Sequence, residues 1–283
     1  MHFVVLTLFP EMFAPLQESI LKRAQQAGLI EIKFINFRDY AQSKHKNVDD
    51  VPYGGGAGMV LKPEPLFAAV RALPEVKQPV GRRIVLLSPQ GRVFTQAVAA
   101  ELSRYEELVF LCGHYEGFDE RVRELSDEEV SLGDFVLTGG ELAASVIIDA
   151  IARLVPGVLG QSASLQEESH SAGVLEYPQY TRPEDFEGKK VPEILLSGHH
   201  AQIARWRRKE GLRRTFLRRP DLWERLTFRA EDYSILEELV EEFPELGEWR
   251  DRWKDLAPRP KKRRKKNMSG AAEERAQTPE QIR

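Results

Sequence analysis

The sequence predicts an α/β protein, a parallel sheet flanked by helices and followed by a small, mainly helical C-terminal domain. Three observations carry this reading. Apolar, β-branched-rich runs at 3–8, 31–37, 83–88 and 108–112, with a weaker one near 134–137, alternate with segments of helical period, as crossover-linked parallel strands do. After Leu159 the texture changes to GQSASLQEESHSAG, small, polar and aperiodic, which suits a flexible connection. Beyond it, Pro178, Pro183 and Pro192 punctuate an irregular stretch before two further helical segments.

The first strand runs into Phe9-Pro10-Glu11. Proline and an acid suit the opening turn of a helix, whose amides are unpaired and whose dipole end is positive. That helix is predicted over Pro10 to Ala27, and others over Glu64 to Leu73, Thr95 to Arg104, Glu116 to Leu125 and Gly139 to Leu154. Two more are expected near 199–210 and 231–243. The latter aligns Ile235, Leu236, Leu239, Val240 and Phe243 in one apolar stripe, which assigns it to packing within the small domain. The predicted organisation is a sheet domain over 1–160, a connector over 161–175, a helical domain over 176–255 and a disordered tail over 256–283. The tail combines prolines, cations and small polar residues that bury too little surface to fold alone.

Composition narrows the class. Hydrophobic residues at 42% and charged residues at 30% are ordinary for a soluble globular chain. With no run of eighteen apolar residues, no basic leader and no small-residue cleavage site, the expectation is a cytoplasmic protein without a membrane partner. The single cysteine, Cys112, sits in LVFLC and reads as a buried thiol. Six scattered histidines and one cysteine lack zinc-ligand spacing, so no structural metal is expected. The net charge of −3 hides an asymmetry: ten Lys/Arg against three acids from Ser197 to Arg229, ten acids against three bases from Glu231 to Asp255, then seven bases from Arg259 to Lys266. A basic surface and a basic tail follow.

Three loops, each following a predicted strand, carry the chemistry: Leu87 to Gly91, Cys112 to Gly117, and Ser131 to Gly140. Ligands of open α/β sheets gather at such strand ends, and glycines there let main-chain groups approach a ligand closely. Neither GxGxxG nor GxxxxGK[ST] is present, which argues against NAD and nucleoside triphosphates and leaves other nucleoside cofactors. The stretch from Asp49 to Met59 is too glycine-rich for strand or helix. A flexible connector is the alternative, but exposing Tyr53 and Met59 is costly, and a loop that binds a base is favoured. In the C-terminal part, Arg205, Arg207, Arg208, Lys209, Arg213, Arg214, Arg218 and Arg219 surround Trp206, Phe216 and Trp223. Cations neutralise phosphates and aromatics stack on unpaired bases; packing in the core is the other reading of the aromatics. The tail's Lys261 to Lys266 either grips RNA loosely or keeps the terminus solvated.

The blocks PYGGGAGM, LSPQGR, CGHYEGFDERV, SLGDFVLTGGEL, RLVPGVLG, YTRP, LLSGHHAQI and RRPDL occur in the order seen in bacterial tRNA (guanine-N1-)-methyltransferases of the SPOUT class. The chain resembles that family from residue 1 to about 226. The resemblance implies a SPOUT fold whose three loops form a deep trefoil knot, a topology otherwise almost absent from proteins. It implies that the knot grips a bent S-adenosylmethionine, that a homodimer builds each active site from one subunit's knot and the other's C-terminal domain, that guanosine 37 of tRNA is methylated, and that Mg2+ assists. On this chain the implied cofactor positions are Leu87, Ser88, Pro89, Gln90, Gly113, Tyr115, Glu116, Leu132, Gly133, Asp134, Phe135, Val136, Leu137, Gly139 and Gly140. Candidates for tRNA contact are Asp50, Tyr53, Gly56 and Met59 in the glycine loop, with His199, Arg205, Arg208, Arg214 and Arg218 beyond the connector.

The reaction makes its own demands. Guanine N1 carries a proton at neutral pH, so a base must accept it as the methyl arrives, and a carboxylate would serve. Charge gathering on the neighbouring carbonyl oxygen calls for a cation, and a guanidinium suits it. By resemblance these roles fall on Glu168 and Arg153. The family's motif there is aspartate-serine-phenylalanine, whereas this chain has Glu168-Ser169-His170. The carboxylate is kept with one more methylene, and Glu167 is the alternative base. His170 either stacks on cofactor or base or is a surface histidine. Arg153 also reads as a helix-end cation facing the dipole.

Overall fold

A computed structural model describes residues 1–76, 81–159, 169–170 and 173–257. Two compact units divide between Glu176 and Tyr177. In chain order the first holds β1 (His2–Thr7), a 3-10 segment Pro10–Gln17, α1 (Ser19–Gln26), β2 (Glu31–Asn36), a 3-10 turn Phe37–Tyr40, β3 (Asp49–Asp50), β4 (Val60–Leu61) and α2 (Pro63–Arg71). It continues with β5 (Arg82–Val93), α3 (Gln96–Leu102), β6 (Glu107–Leu111), a 3-10 turn Glu120–Leu125, β7 (Glu128–Ser131) and α4 (Glu141–Ala152).

Five strands form a parallel sheet in the order β2-β1-β6-β5-β7. The central strands are apolar almost throughout because both faces are covered, as in parallel sheets generally. Alternate residues serve opposite sides. Phe3, Val5, Leu108 and Phe110 pack with residues of α1, α3, α4 and the 10–17 segment, such as Phe13, Leu102 and Ile147. Val4, Leu6, Val109 and Leu111 pack with Phe37, Leu66, Ala69 and Val122 on the other face. Full burial of each such side chain is worth roughly 1.5–3 kcal/mol, so the strand ends that launch the loops are rigid.

Three expectations need correction. The fifth strand is Glu128–Ser131, and 134–137 is exposed loop. Its two glutamates disguise it: Glu128 pairs with Arg83 and Arg92, and Glu129 with Arg123, so these charges are matched on the sheet edge. The helix expected over 116–125 is only the turn Glu120–Leu125, capped by Asp119, whose Oδ1 accepts the Arg121 N–H at 3.0 Å. Tyr115 and Gly117 have φ of 58° and 105°, which no α-helix accommodates. The helix expected over 10–27 is broken at Glu18 and Ser19, the latter at φ 56°, and Pro15 inside the first part has no N–H for an α-helical bond.

The second unit holds the short antiparallel pair β8 (Asp185–Phe186) and β9 (Lys189–Lys190), then α5 (Glu193–Leu196), α6 (His200–Arg218), α7 (Pro220–Arg225), α8 (Asp232–Glu242) and 3-10 turns at Pro244–Arg252 and Lys254–Leu256. Its core is aromatic. Trp223 contacts Phe216 and Phe228 at ring distances of 5.3 and 5.1 Å, and Phe228 meets Trp253 at 5.5 Å. Phe216 and Trp223 are therefore core residues. The stripe on α8 buries Ile235, Leu236 and Leu239.

The acids of α8 face the bases of α6. Arg208 grips the buried Asp232 with two bonds of 2.8 and 2.7 Å, Arg205 bonds Glu238, and Lys209 bonds Glu242 at 2.6 Å and Glu238 at 3.4 Å. Arg205 holds the Glu238 carboxyl below its usual range. Burial works to lower the Lys209 pKa, and the two glutamates overcome it and raise it. A prediction arises here: Arg208→Ala leaves the Asp232 carboxylate buried without its cation and should destabilise this unit by about 3 kcal/mol, read as a lower urea midpoint, whereas Arg218→Ala should leave the midpoint unchanged.

Candidate active site

The second and third loops leave the carboxyl ends of β6 and β7, and the first is an excursion within β5, the strand between them. In β5 the pairing jumps: Leu87 and Arg92 both lie opposite Val130, so Ser88 to Gly91 bulge out and return. Ser88 Oγ accepts the Gln90 N–H at 3.1 Å and tightens that bulge. Gly91 lies on the main chain of β7, where an added Cβ would overlap the Glu129 carbonyl carbon and Val130 nitrogen and stand 2.6 Å from the Glu129 oxygen. Arg123 anchors the bulge through Gln90 Oε1 at 3.1 Å while also bonding Glu120 and Glu129.

The second and third loops are laced together. Gly140 N–H donates to the Gly113 carbonyl at 2.8 Å, and His114 and Gly139 form a β-bridge. A Cβ at Gly140 would stand 2.8 Å from Cys112 Cα, so the approach requires glycine. Cys112 itself is buried, and burial together with the nearby Glu141 charge pushes its thiol well up. The thiol should therefore resist alkylation in the native protein and react stoichiometrically once denatured, as a colorimetric thiol assay would show.

Between the loops lies a cavity of about 460 Å³. Every sequence-predicted cofactor position lines it except Gly133 and Asp134. His114 and Thr138, inside the loops singled out in the sequence but not among its cofactor positions, line it too, as do Leu86, Phe118 and Arg123, which sequence reasoning passed over. One side is apolar and uncovered, with Val136 84% exposed and Phe135 55%.

The glycine loop is fastened to the second loop. Glu116 N–H donates to the Met59 carbonyl at 3.1 Å, Leu61 N–H to Gly117 at 2.9 Å and Asp119 N–H to Leu61 at 2.9 Å. The Glu116 side chain lies over Gly58, with its Cδ 2.8 Å from where a Cβ would be. Tyr53 at the tip is fully exposed, Met59 is half-buried, and Asp50 approaches Lys62 at 3.8 Å. Gly56 has φ 136°, a value that favours glycine.

Arg153 follows the last residue of α4 as its C-cap and is not among the residues lining the cavity. Gly140, at the other end of that helix, is. At roughly 1.5 Å of rise per residue, the two are about 20 Å apart. Glu167 and Glu168 lie outside the described residues, as does the tail from 258. His170 is exposed at φ 73°, its N–H donating to the Val174 carbonyl at 3.0 Å, and Ser169 Oγ accepts the Glu176 N–H at 3.0 Å.

In the second unit His199 and Arg218 are exposed, Arg214 is half-buried, and Arg205 and Arg208 are engaged with α8. Arg208 was expected on an RNA-facing surface; its fork is instead committed to Asp232.

Among the described residues no helix is long and apolar enough to cross a membrane. The family model described as tRNA (Guanine-1)-methyltransferase TrmD matches residues 1–225. The chain is 72% identical over 264 residues to the tRNA (guanine-N(1)-)-methyltransferase of Desulfitobacterium hafniense, covering 93% of this chain and all of that one. It is 59% identical over 244 residues to that of Dehalococcoides mccartyi, with 86% and 98% covered, and 56% identical over 241 residues to that of Streptococcus pyogenes, with 85% and 99% covered. Glycine-built loops on three neighbouring strands and likeness across nearly the whole described chain converge: this protein belongs to the tRNA (guanine-1)-methyltransferase family.

Proposed function

We propose that this chain methylates N1 of guanosine 37 in tRNA with S-adenosylmethionine, as a cytoplasmic SPOUT-class enzyme whose three loops form a trefoil knot. The observation that carries the reading is the cavity walled by all three loops. Its volume, about 460 Å³, falls in the roughly 300–1,000 Å³ range of cofactor sites. Its wall combines main chain at Gly113, Gly139 and Gly140 with apolar side chains of Leu87, Leu132 and Leu137, which suits a nucleoside with a polar edge and an apolar face. The residues thus fit the cofactor, which when bound supplies an electrophilic methyl group.

The protein's own part is to orient the base, accept its proton and offset charge. Glu168 takes the N1 proton, and Arg153 stabilises the developing charge on the carbonyl oxygen. Arg153 lies about 15 Å along α4 from Ala143, the last residue of that helix to line its own chain's cavity, and it serves the site of a second copy. An exposed apolar stripe supports such a homodimer: Leu142 and Val146, one turn apart on α4, are 49% and 51% exposed. Among the described residues no three His, Cys, Asp or Glu side chains stand together as a metal site would have them. The glycine loop receives the guanine or a neighbouring base, and the second unit holds the tRNA backbone through cations such as Arg214 and Arg218.

The expected result is that tRNA affinity falls steeply with added salt and weakens on Arg218→Ala, while S-adenosylmethionine binding to the same preparations stays constant. Salt-independent tRNA affinity in a filter-binding assay would refute the assignment of this surface. Loss of donor binding in the Gly140→Ala variant, with binding kept by wild type, tests the cavity itself.

A further inference from the structure

Behind the cavity wall, one residue beyond Gly140, lies a buried carboxylate that the methyl-transfer reading leaves unused. Glu141 opens α4 and is 1% exposed. Its Oε1 accepts a hydrogen bond from Thr7 Oγ1 at 2.8 Å. Thr7 is fully buried at the end of β1, and its Oγ1 in turn accepts the Phe9 N–H at 2.9 Å, so that oxygen is pinned to the central strand. The other oxygen, Oε2, is shut away from solvent without a partner, and so is Nδ1 of His114 in the cavity wall. Both atoms converge on Gly139, where a Cβ would stand 2.7 Å from His114 Nδ1 and would overlap Glu141 Oε2. The His114 ring is held between Phe9 and Tyr115, at ring distances of 4.8 and 4.9 Å.

A bare carboxylate oxygen and a bare ring nitrogen are each costly in a protein interior. Converging on one glycine, they become donor and acceptor when the imidazole proton sits on Nδ1. Gly139 also belongs to the wall of the cavity, so ligand entry and the width of this gap share one backbone position.

We propose that Glu141 is a positioning residue: with the cavity filled, its Oε2 accepts a hydrogen bond from His114 Nδ1–H. This fixes the imidazole tautomer and leaves Nε2 as an acceptor for an N–H or O–H group of the bound methyl donor. The inference rests on the reading that the cavity holds S-adenosylmethionine, and it adds a Thr7-Glu141-His114 chain to it. Glycine at 139 is then required because any side chain would stand between the two partners.

The test uses the full chain labelled with nitrogen-15 histidine and saturated with S-adenosylmethionine. Wild type should show His114 in the Nδ1–H form, and Glu141→Leu should show the Nε2–H form. In calorimetry, Glu141→Leu and His114→Phe should each weaken donor binding about tenfold, the size of one hydrogen bond, and the double variant should lose no more than either alone. An Nε2–H imidazole in the saturated wild type overturns the proposal even if Glu141→Leu does not fold, and so do single losses that multiply in the double variant. If wild type binds no S-adenosylmethionine, the cavity reading fails with it; if it binds with the wrong tautomer, only this inference fails.

Discussion

Glu168→Gln should slow single-turnover methyl transfer about a hundredfold to ten-thousandfold, the span of a lost general base, while the affinity for S-adenosylmethionine stays as in wild type. The amide keeps the shape of the side chain but cannot accept the N1 proton, so attack would have to proceed from a base that still holds it. Glu167→Gln should react at close to the wild-type rate. Rapid-quench measurements with labelled donor and unmodified tRNA separate the two. The reverse pattern would move the proton to Glu167. The longer reach of glutamate makes this contest a real one, because its extra rotor relaxes where the carboxylate must start.

Gly91→Ala should cost roughly 3 kcal/mol, the upper end for overpacking, and should abolish donor binding. A methyl group there meets the main chain of Glu129 and Val130. Neither can retreat: Val130 is 1% exposed in the core, and its strand is paired on β5. The bulge of Ser88 to Gly91 must therefore lift off the sheet edge, taking with it one wall of the cavity. Gly28→Ala, away from the cavity, is the control. It has open space around it and φ 69°, so only backbone strain on the order of 1–2 kcal/mol opposes it. Urea denaturation and calorimetry of both variants distinguish the effects, and a Gly91→Ala protein as stable as wild type would show that the bulge does not rest on β7.

How much of this was legible in the sequence follows from which interactions are local. The central strands β1, β6 and β5 were readable because parallel strands buried on both faces are apolar almost throughout, and the edge strand β2 because Ile32, Phe34 and Ile35 punctuate its polar residues. The fifth, Glu128 to Ser131, was not, because its charges are matched by Arg83, Arg92 and Arg123 from other parts of the chain. The glycines of the three loops were visible as punctuation, but the reason for each differs and lies elsewhere in the fold: Gly91 against Glu129, Gly140 against Cys112. The basic run of α6 was read as one surface. In the structure part of it is paired within the unit, since acids some thirty residues later on α8 hold Arg205 at the surface and the less exposed Arg208 and Lys209. The contact between Thr7 and Glu141 spans 134 residues, and no local pattern announces it.

The destination of the methyl group is the most direct test of the enzyme's activity. After a single turnover with labelled S-adenosylmethionine and an unmodified tRNA transcript, nuclease mapping with mass spectrometry of the nucleosides should find the label in 1-methylguanosine at position 37 alone. Label on a ribose, on another base, or at another position would contradict it.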